Sequence, residues 1–158
     1  MAEKNETTCA SCGHNAASFL LRLWIGLRLF FAGLEKFRAG SGVEATYNMS
    51  NYKEKMGTIA QGVADNSFLP KAMCNAYAFP LGFLLLIVGI WVLIGIAHRF
   101  SLLVAGLLFV SLAFGVMVLP DDTQSLYLGL HVAICAYALT LSKYDWLSLG
   151  WLLNRKKG

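Results

Sequence analysis

Residues 81–94 read Leu-Gly-Phe-Leu-Leu-Leu-Ile-Val-Gly-Ile-Trp-Val-Leu-Ile, with no charged side chain among them. Extended in both directions, the uncharged run covers 76–97. A helix of about 20 apolar residues crosses a hydrocarbon core, so this stretch is a membrane span. His98-Arg99 interrupts it, and a second uncharged run fills 100–119 before Pro120, which cannot continue a helix. Two spans joined by so short a link must form an antiparallel hairpin. Pro120-Asp-Asp-Thr-Gln leads into another apolar run, 125–141, and its acidic and hydroxyl residues suit a helix N-terminus. Upstream, 16–37 forms a less pure first span that contains Arg22, Arg28 and Glu35.

The whole composition agrees with this reading. Hydrophobic residues make up 57% of the 158 and charged residues 14%, against about 25% charged in an ordinary soluble domain. That is too little charge to cover a soluble protein of this size. Backbone polar groups in lipid must be satisfied within their own segment, so spans of this length are helices. The expected fold is all-α: a polytopic membrane protein with a four-transmembrane-helix bundle and its lipid bilayer as first partner. No basic run is interleaved with aromatics, so nucleic acid is not an expected partner. Residues 1–17 are a polar N-terminal tail, 18–153 the membrane domain and 154–158 a basic C-terminal tail.

Between the first two spans lies an insert, 38–75. Tyr47, Tyr52, Met56, Ile59 and Val63 recur there at helical spacing among polar residues. This predicts an amphipathic helix that lies on the membrane or caps the bundle. Trp146, Leu147, Leu149, Trp151, Leu152 and Leu153 precede Arg155-Lys156-Lys157, the order of an interfacial anchor. Lysine and arginine are more numerous on the side of the termini, where Lys4, Arg99, Lys143 and Arg155 to Lys157 fall, than on the side of the insert. The bias places both termini in the cytoplasm of a plasma (inner) membrane protein.

The first span carries the most chemical information. Arg28 falls near mid-bilayer, where charge is expensive, whereas Arg22 lies close enough to the surface for its head to reach water. Trp24, Arg28, Phe31 and Glu35 share one helical face, which makes Glu35 the expected partner of Arg28. Lys36 and Arg38 close the same span. His131, in the half of the fourth span nearer the insert, is a candidate for proton relay, or for contact with an anion or a quinone, because imidazole titrates near neutral pH. Together, Arg28, Lys36, Arg38 and His131 would make an electropositive vestibule suited to a small anionic substrate or to the carbonyls of a quinone.

Cys9-Ala-Ser-Cys12 is a C-x-x-C, but Gly13 separates it from His14, so it is not a haem-attachment motif, and no second cysteine pair completes a zinc site. No haem or metal is expected. Cys74 and Cys135 fall at different depths and are not expected to pair.

In order, these features resemble the DoxX family of small four-helix membrane proteins. The resemblance rests on Leu20-Leu-Arg-Leu-Trp-Ile-Gly-Leu-Arg-Leu-Phe-Phe-Ala-Gly-Leu-Glu-Lys-Phe, on Pro80-Leu-Gly-Phe-Leu-Leu-Leu-Ile-Val-Gly, on the basic turn at Arg99, and on Leu139-Thr-Leu-Ser-Lys-Tyr-Asp-Trp-Leu-Ser-Leu-Gly. Gly150 stands where that last motif normally has aspartate. The family includes the membrane subunit of thiosulfate:quinone oxidoreductase. The resemblance therefore implies a redox-associated subunit that interacts with quinone. Arg28, His131 and Glu35 would be its catalytic groups, Arg28, Lys36 and Arg38 its anion contacts, and Trp24 and His131 its quinone contacts. The alternative is a non-catalytic accessory subunit, within a homo-oligomer or a larger membrane electron-transfer complex.

Overall fold

The computed structural model describes residues 2–119 and 122–142, and they form an all-α bundle. The elements are α1 (Ala2–Glu35), a two-stranded hairpin β1 (Arg38–Ala39) and β2 (Thr46–Tyr47), α2 (Met49–Asn66), α3 (Lys71–Ile94), α4 (His98–Met117) and α5 (Asp122–Leu141). Four stretches are long and apolar enough to cross a membrane: Gly13–Glu35 within α1, all of α3, all of α4, and Thr123–Leu141. The chain is thus a multi-pass membrane protein. The aromatic and basic segment expected near the C-terminus lies outside the described residues.

Helix α3 is the hub. It packs on α1, α2 and α4, while α5 packs on α4 and α1 and closes the ring. Leucine and valine side chains such as Leu85, Val88 and Val92 meet Ile25, Leu29, Leu102 and Phe109 in one continuous core.

Close backbone approach sets the register of α1 against α3. A Cβ on Gly89 would lie 2.7 Å from the Phe30 backbone nitrogen, and one on Gly33 would lie 2.9 Å from that of Leu86. Gly26 faces Leu93 and the Gly89 carbonyl, while Gly33 faces the Gly82 carbonyl. Small residues at such spacing let membrane helices approach to backbone contact, where dispersion substitutes for the missing hydrophobic effect. The two helices are antiparallel, and α1 ends where α3 still has about three turns to run toward Lys71.

Those extra turns are covered by α2. Tyr52, Met56 and Ala60 are its buried face, and Ala60 packs with Cys74 and Ala78. The amphipathic helix therefore caps the bundle through α3. Tyr47, expected on that helix, instead ends β2 and is exposed. Asn48 caps α2 by accepting from the Asn51 N–H at 3.0 Å. Pro80 lies inside α3 and has no N–H to give to the helical ladder. Beside this gap, the Tyr52 hydroxyl donates to the Phe79 carbonyl and accepts from the Gly82 N–H at 3.2 Å.

The α3–α4 turn needs left-handed backbone at Gly95 (φ 76°) and at Ala97 (φ 50°). The Trp91 indole N–H donates to the Ile96 carbonyl at 2.8 Å and closes the turn. Further along the same pair, the Tyr77 hydroxyl donates to Ser111 Oγ at 2.7 Å. The N-terminal segment, including the backbone of Cys9-Ala-Ser-Cys12, continues α1 as helix. Cys74 and Cys135 are both free and buried.

Candidate functional site

The glycine seam fixes the phase of α1. At about 100° per residue, a position four residues from Gly26 stays near the seam and one two residues away points elsewhere. Ser18, Arg22, Ile25, Leu29 and Gly33 accordingly face inward, while Leu20, Trp24, Leu27, Arg28, Phe31 and Glu35 face outward. This reverses the expected roles of the two arginines. Arg22 is 4% exposed and its guanidinium lies 5.5 Å from the Phe19 ring centroid, whereas Arg28 is exposed. Arg28 and Glu35 share a face as expected but make no ion pair among the described residues. An uncompensated arginine near the middle of a span costs at least about 2.5–3.5 kcal/mol. This makes its outward placement significant.

His131 lies inside. It is 8% exposed on α5, between Trp24 of α1 and Phe109 of α4. The Trp24 ring is nearly parallel to the imidazole (6.5 Å between centroids, 16°), and the Phe109 ring is closer and tilted (5.1 Å, 34°). Nδ1 lies 2.6 Å from the Tyr127 carbonyl, one turn earlier in the same helix. A carbonyl only accepts, so Nδ1 carries the hydrogen and Nε2 presents a lone pair. That Nε2 is buried and has no hydrogen-bond partner among the described residues. Leaving such an acceptor unsatisfied costs about 1–3 kcal/mol. The atom can accept a hydrogen bond from a hydroxyl, and in its protonated form it would donate one to a carbonyl. Trp24 is 55% exposed, so its indole is the cover between His131 and the surroundings of the bundle.

A second cluster forms where α1 ends. Glu35, Lys36, Arg38, Asn51, Glu54, Lys55 and Thr58 are among the residues lining a cleft of about 520 Å³. Lys55 Nζ donates to the carbonyls of Glu35 (3.0 Å) and Arg38 (2.9 Å). It thereby places a cation at the negative end of α1 and satisfies a terminal carbonyl. The Arg38 Nε–H turns to the Gly40 carbonyl at 3.2 Å. Burial pushes the Lys36 pKa below the usual lysine value; the charges of Lys55 and Arg28 add to this and Glu35 opposes it. An apolar cleft of about 530 Å³ lies near the same end, lined by Leu34, Phe37, Tyr47, Asn48, Met49, Phe83 and Leu86. Phe37 stacks on Tyr52 there at 4.4 Å between centroids.

The structure thus joins Trp24 to His131, joins Lys36 and Arg38 to Glu35, and sets Arg28 on the outward face, outside the lining of that cleft but near enough for its charge to act on Lys36. Phe109 and Lys55 were not expected. Phe109 is one phenylalanine among many on the spans, and nothing in its neighbourhood marks it. Lys55 reaches α1 only because α2 folds back along α3. Among the described residues, no three His, Cys, Asp or Glu side chains are grouped to hold a metal ion. The chain matches no family model, no curated protein and no solved structure.

Proposed function

We propose that this multi-pass membrane protein is a quinone-interacting subunit of a redox system, as its resemblance to DoxX proteins implies. The observation that carries the reading is the buried, unpartnered Nε2 of His131 between two aromatic rings. A quinone ring is flat and apolar with a carbonyl at each end, which suits stacking beside Trp24 with one oxygen at Nε2. Reduction of a quinone consumes two electrons and two protons. A proton first taken up at His131 Nε2 would be passed on as one of those protons, solvent water would supply the other, and the electrons would come from an anionic reductant or a partner subunit. Lys36, Arg38 and Lys55 would draw a small anion to the cleft at the end of α1, with Glu35 a neighbouring base. Arg28, expected among the catalytic and anion contacts, lies on the outward face and is given no role at His131 in this reading.

Purification in mild detergent followed by solvent extraction tests the reading. Bound quinone should be recovered from the wild type and fall at least tenfold in His131→Gln, a loss of about 1.4 kcal/mol. Equal recovery from both, or none from either, would remove His131 as a quinone ligand.

The accessory-subunit reading has its own support in the outward-facing Arg28, which suits a chain that belongs to a larger assembly. For localisation we propose the plasma membrane with both termini cytoplasmic. Single cysteines at Ser11 and Ser41, in a background without native cysteines, should then label from opposite sides with an impermeant thiol reagent.

A further inference from the structure

The outward face of α1 presents Leu20, Trp24, Leu27, Arg28 and Phe31 in a helical ridge, with Leu20, Trp24 and Phe31 each more than half exposed. Arg28 lies between the levels fixed by Gly26 beside Gly89 and Gly33 beside Gly82, so the α3 segment alongside it belongs to the uncharged run 81–94. A cation at that depth needs an anion, a dipole or water.

Among the described residues, this chain does not supply the anion. Glu35 is the one acidic residue in the four candidate spans. It lies two turns nearer the α2 end, and no ion pair joins it to Arg28. A second copy inserted the same way does not supply it either. A symmetric pair through α1 would oppose Arg28 to Arg28 at equal depth, and like charges repel. An asymmetric contact would bring up α3, α4 or α5, whose spans contain no carboxylate.

We propose that this face of α1 seats a transmembrane helix of a different protein, and that the helix carries an aspartate or glutamate at the depth of Arg28. The ridge supplies the apolar contact and Arg28 the choice of partner, since a buried cation rejects helices that lack the matching charge. The proposal rests on the reading of this chain as one subunit of an assembly and does not depend on quinone.

The test is photo-crosslinking in native membranes from a photoreactive residue placed at Phe31. The expected product joins this chain to a membrane-spanning peptide of another protein that contains Asp or Glu. Its yield should fall at least tenfold in Arg28→Leu and stay within twofold in Arg28→Lys. Leucine is easier to insert than arginine, so loss of the product is not loss of the span. His131→Gln should leave the yield unchanged, which separates this result from failure of the quinone reading. Adducts only with lipid or a second copy would overturn the proposal. So would a partner segment without a carboxylate, or a yield indifferent to Arg28→Leu.

Discussion

The two faces of α1 are built on different physics. Toward α3, the contacts are so close that a single methyl at Gly89 or Gly33 has no room, and Arg22 is taken inside with the apolar side chains. Away from α3, the same helix shows Trp24, Phe31 and Arg28 to the surroundings. One face is specified by shape and finished within the chain. The other has a charge whose compensation lies beyond it. A membrane helix therefore cannot be read by hydropathy alone, because both faces are apolar enough and only one is packed.

The largest effect should come from the seam. Gly89→Ala forces a methyl against the Phe30 backbone, which cannot rotate away as a side chain could. We expect a loss of about 1–3 kcal/mol, read as a lower unfolding midpoint in detergent. A wild-type midpoint would mean that α1 and α3 do not approach as described.

Next comes the contrast between the arginines. Arg22→Ala should destabilise the purified protein by about 1–2 kcal/mol, as loss of a buried polar side chain does, while Arg28→Ala should stay within about 0.5 kcal/mol. Equal effects would erase the distinction between the two faces.

A smaller change is expected where α2 takes over from α1 as the neighbour of α3. Tyr52→Phe keeps the ring stack on Phe37 but removes the hydroxyl from Phe79 and Gly82. The cost should be about 1 kcal/mol, and faster amide exchange at Gly82 would localise it beside Pro80.

The smallest effect is a pH dependence at the end of α1. The Lys36 pKa is lowered in the fold, chiefly by burial. The unfolded chain then binds more protons than the folded one as pH rises toward the ordinary lysine value, so stability should rise across that window. The same deprotonation should weaken binding of a small anion to the cleft below the pH at which an ordinary lysine loses its charge. Lys36→Met should flatten both dependences. A wild type and variant with the same slope would show that another group titrates there.

Much of the fold was legible in the residues. The uncharged runs on either side of His98-Arg99, the stop at Pro120 and the length of each span dictated helices and a tight α3–α4 hairpin, because a bilayer gives the backbone no other partner. The helical spacing of Tyr52, Met56 and Val63 also pointed to α2. Its place on α3 did not follow, since an apolar stripe suits a lipid surface as well as a protein. Glu35, Lys36 and Arg38 are close in sequence and so were bound to be neighbours.

The sequence by itself therefore determined the elements, their membrane environment and the order of charges along α1, all of which depend on local composition and chain connectivity. Tertiary structure alone decided which arginine goes inside and what surrounds His131. Those outcomes depend on helix phase. Gly26 and Gly33 turn one side of α1 to α3, Arg22 follows them, and Arg28 is left facing out. The same rotation brings Trp24 over His131, a meeting of α1 and α5 that no spacing along the chain records.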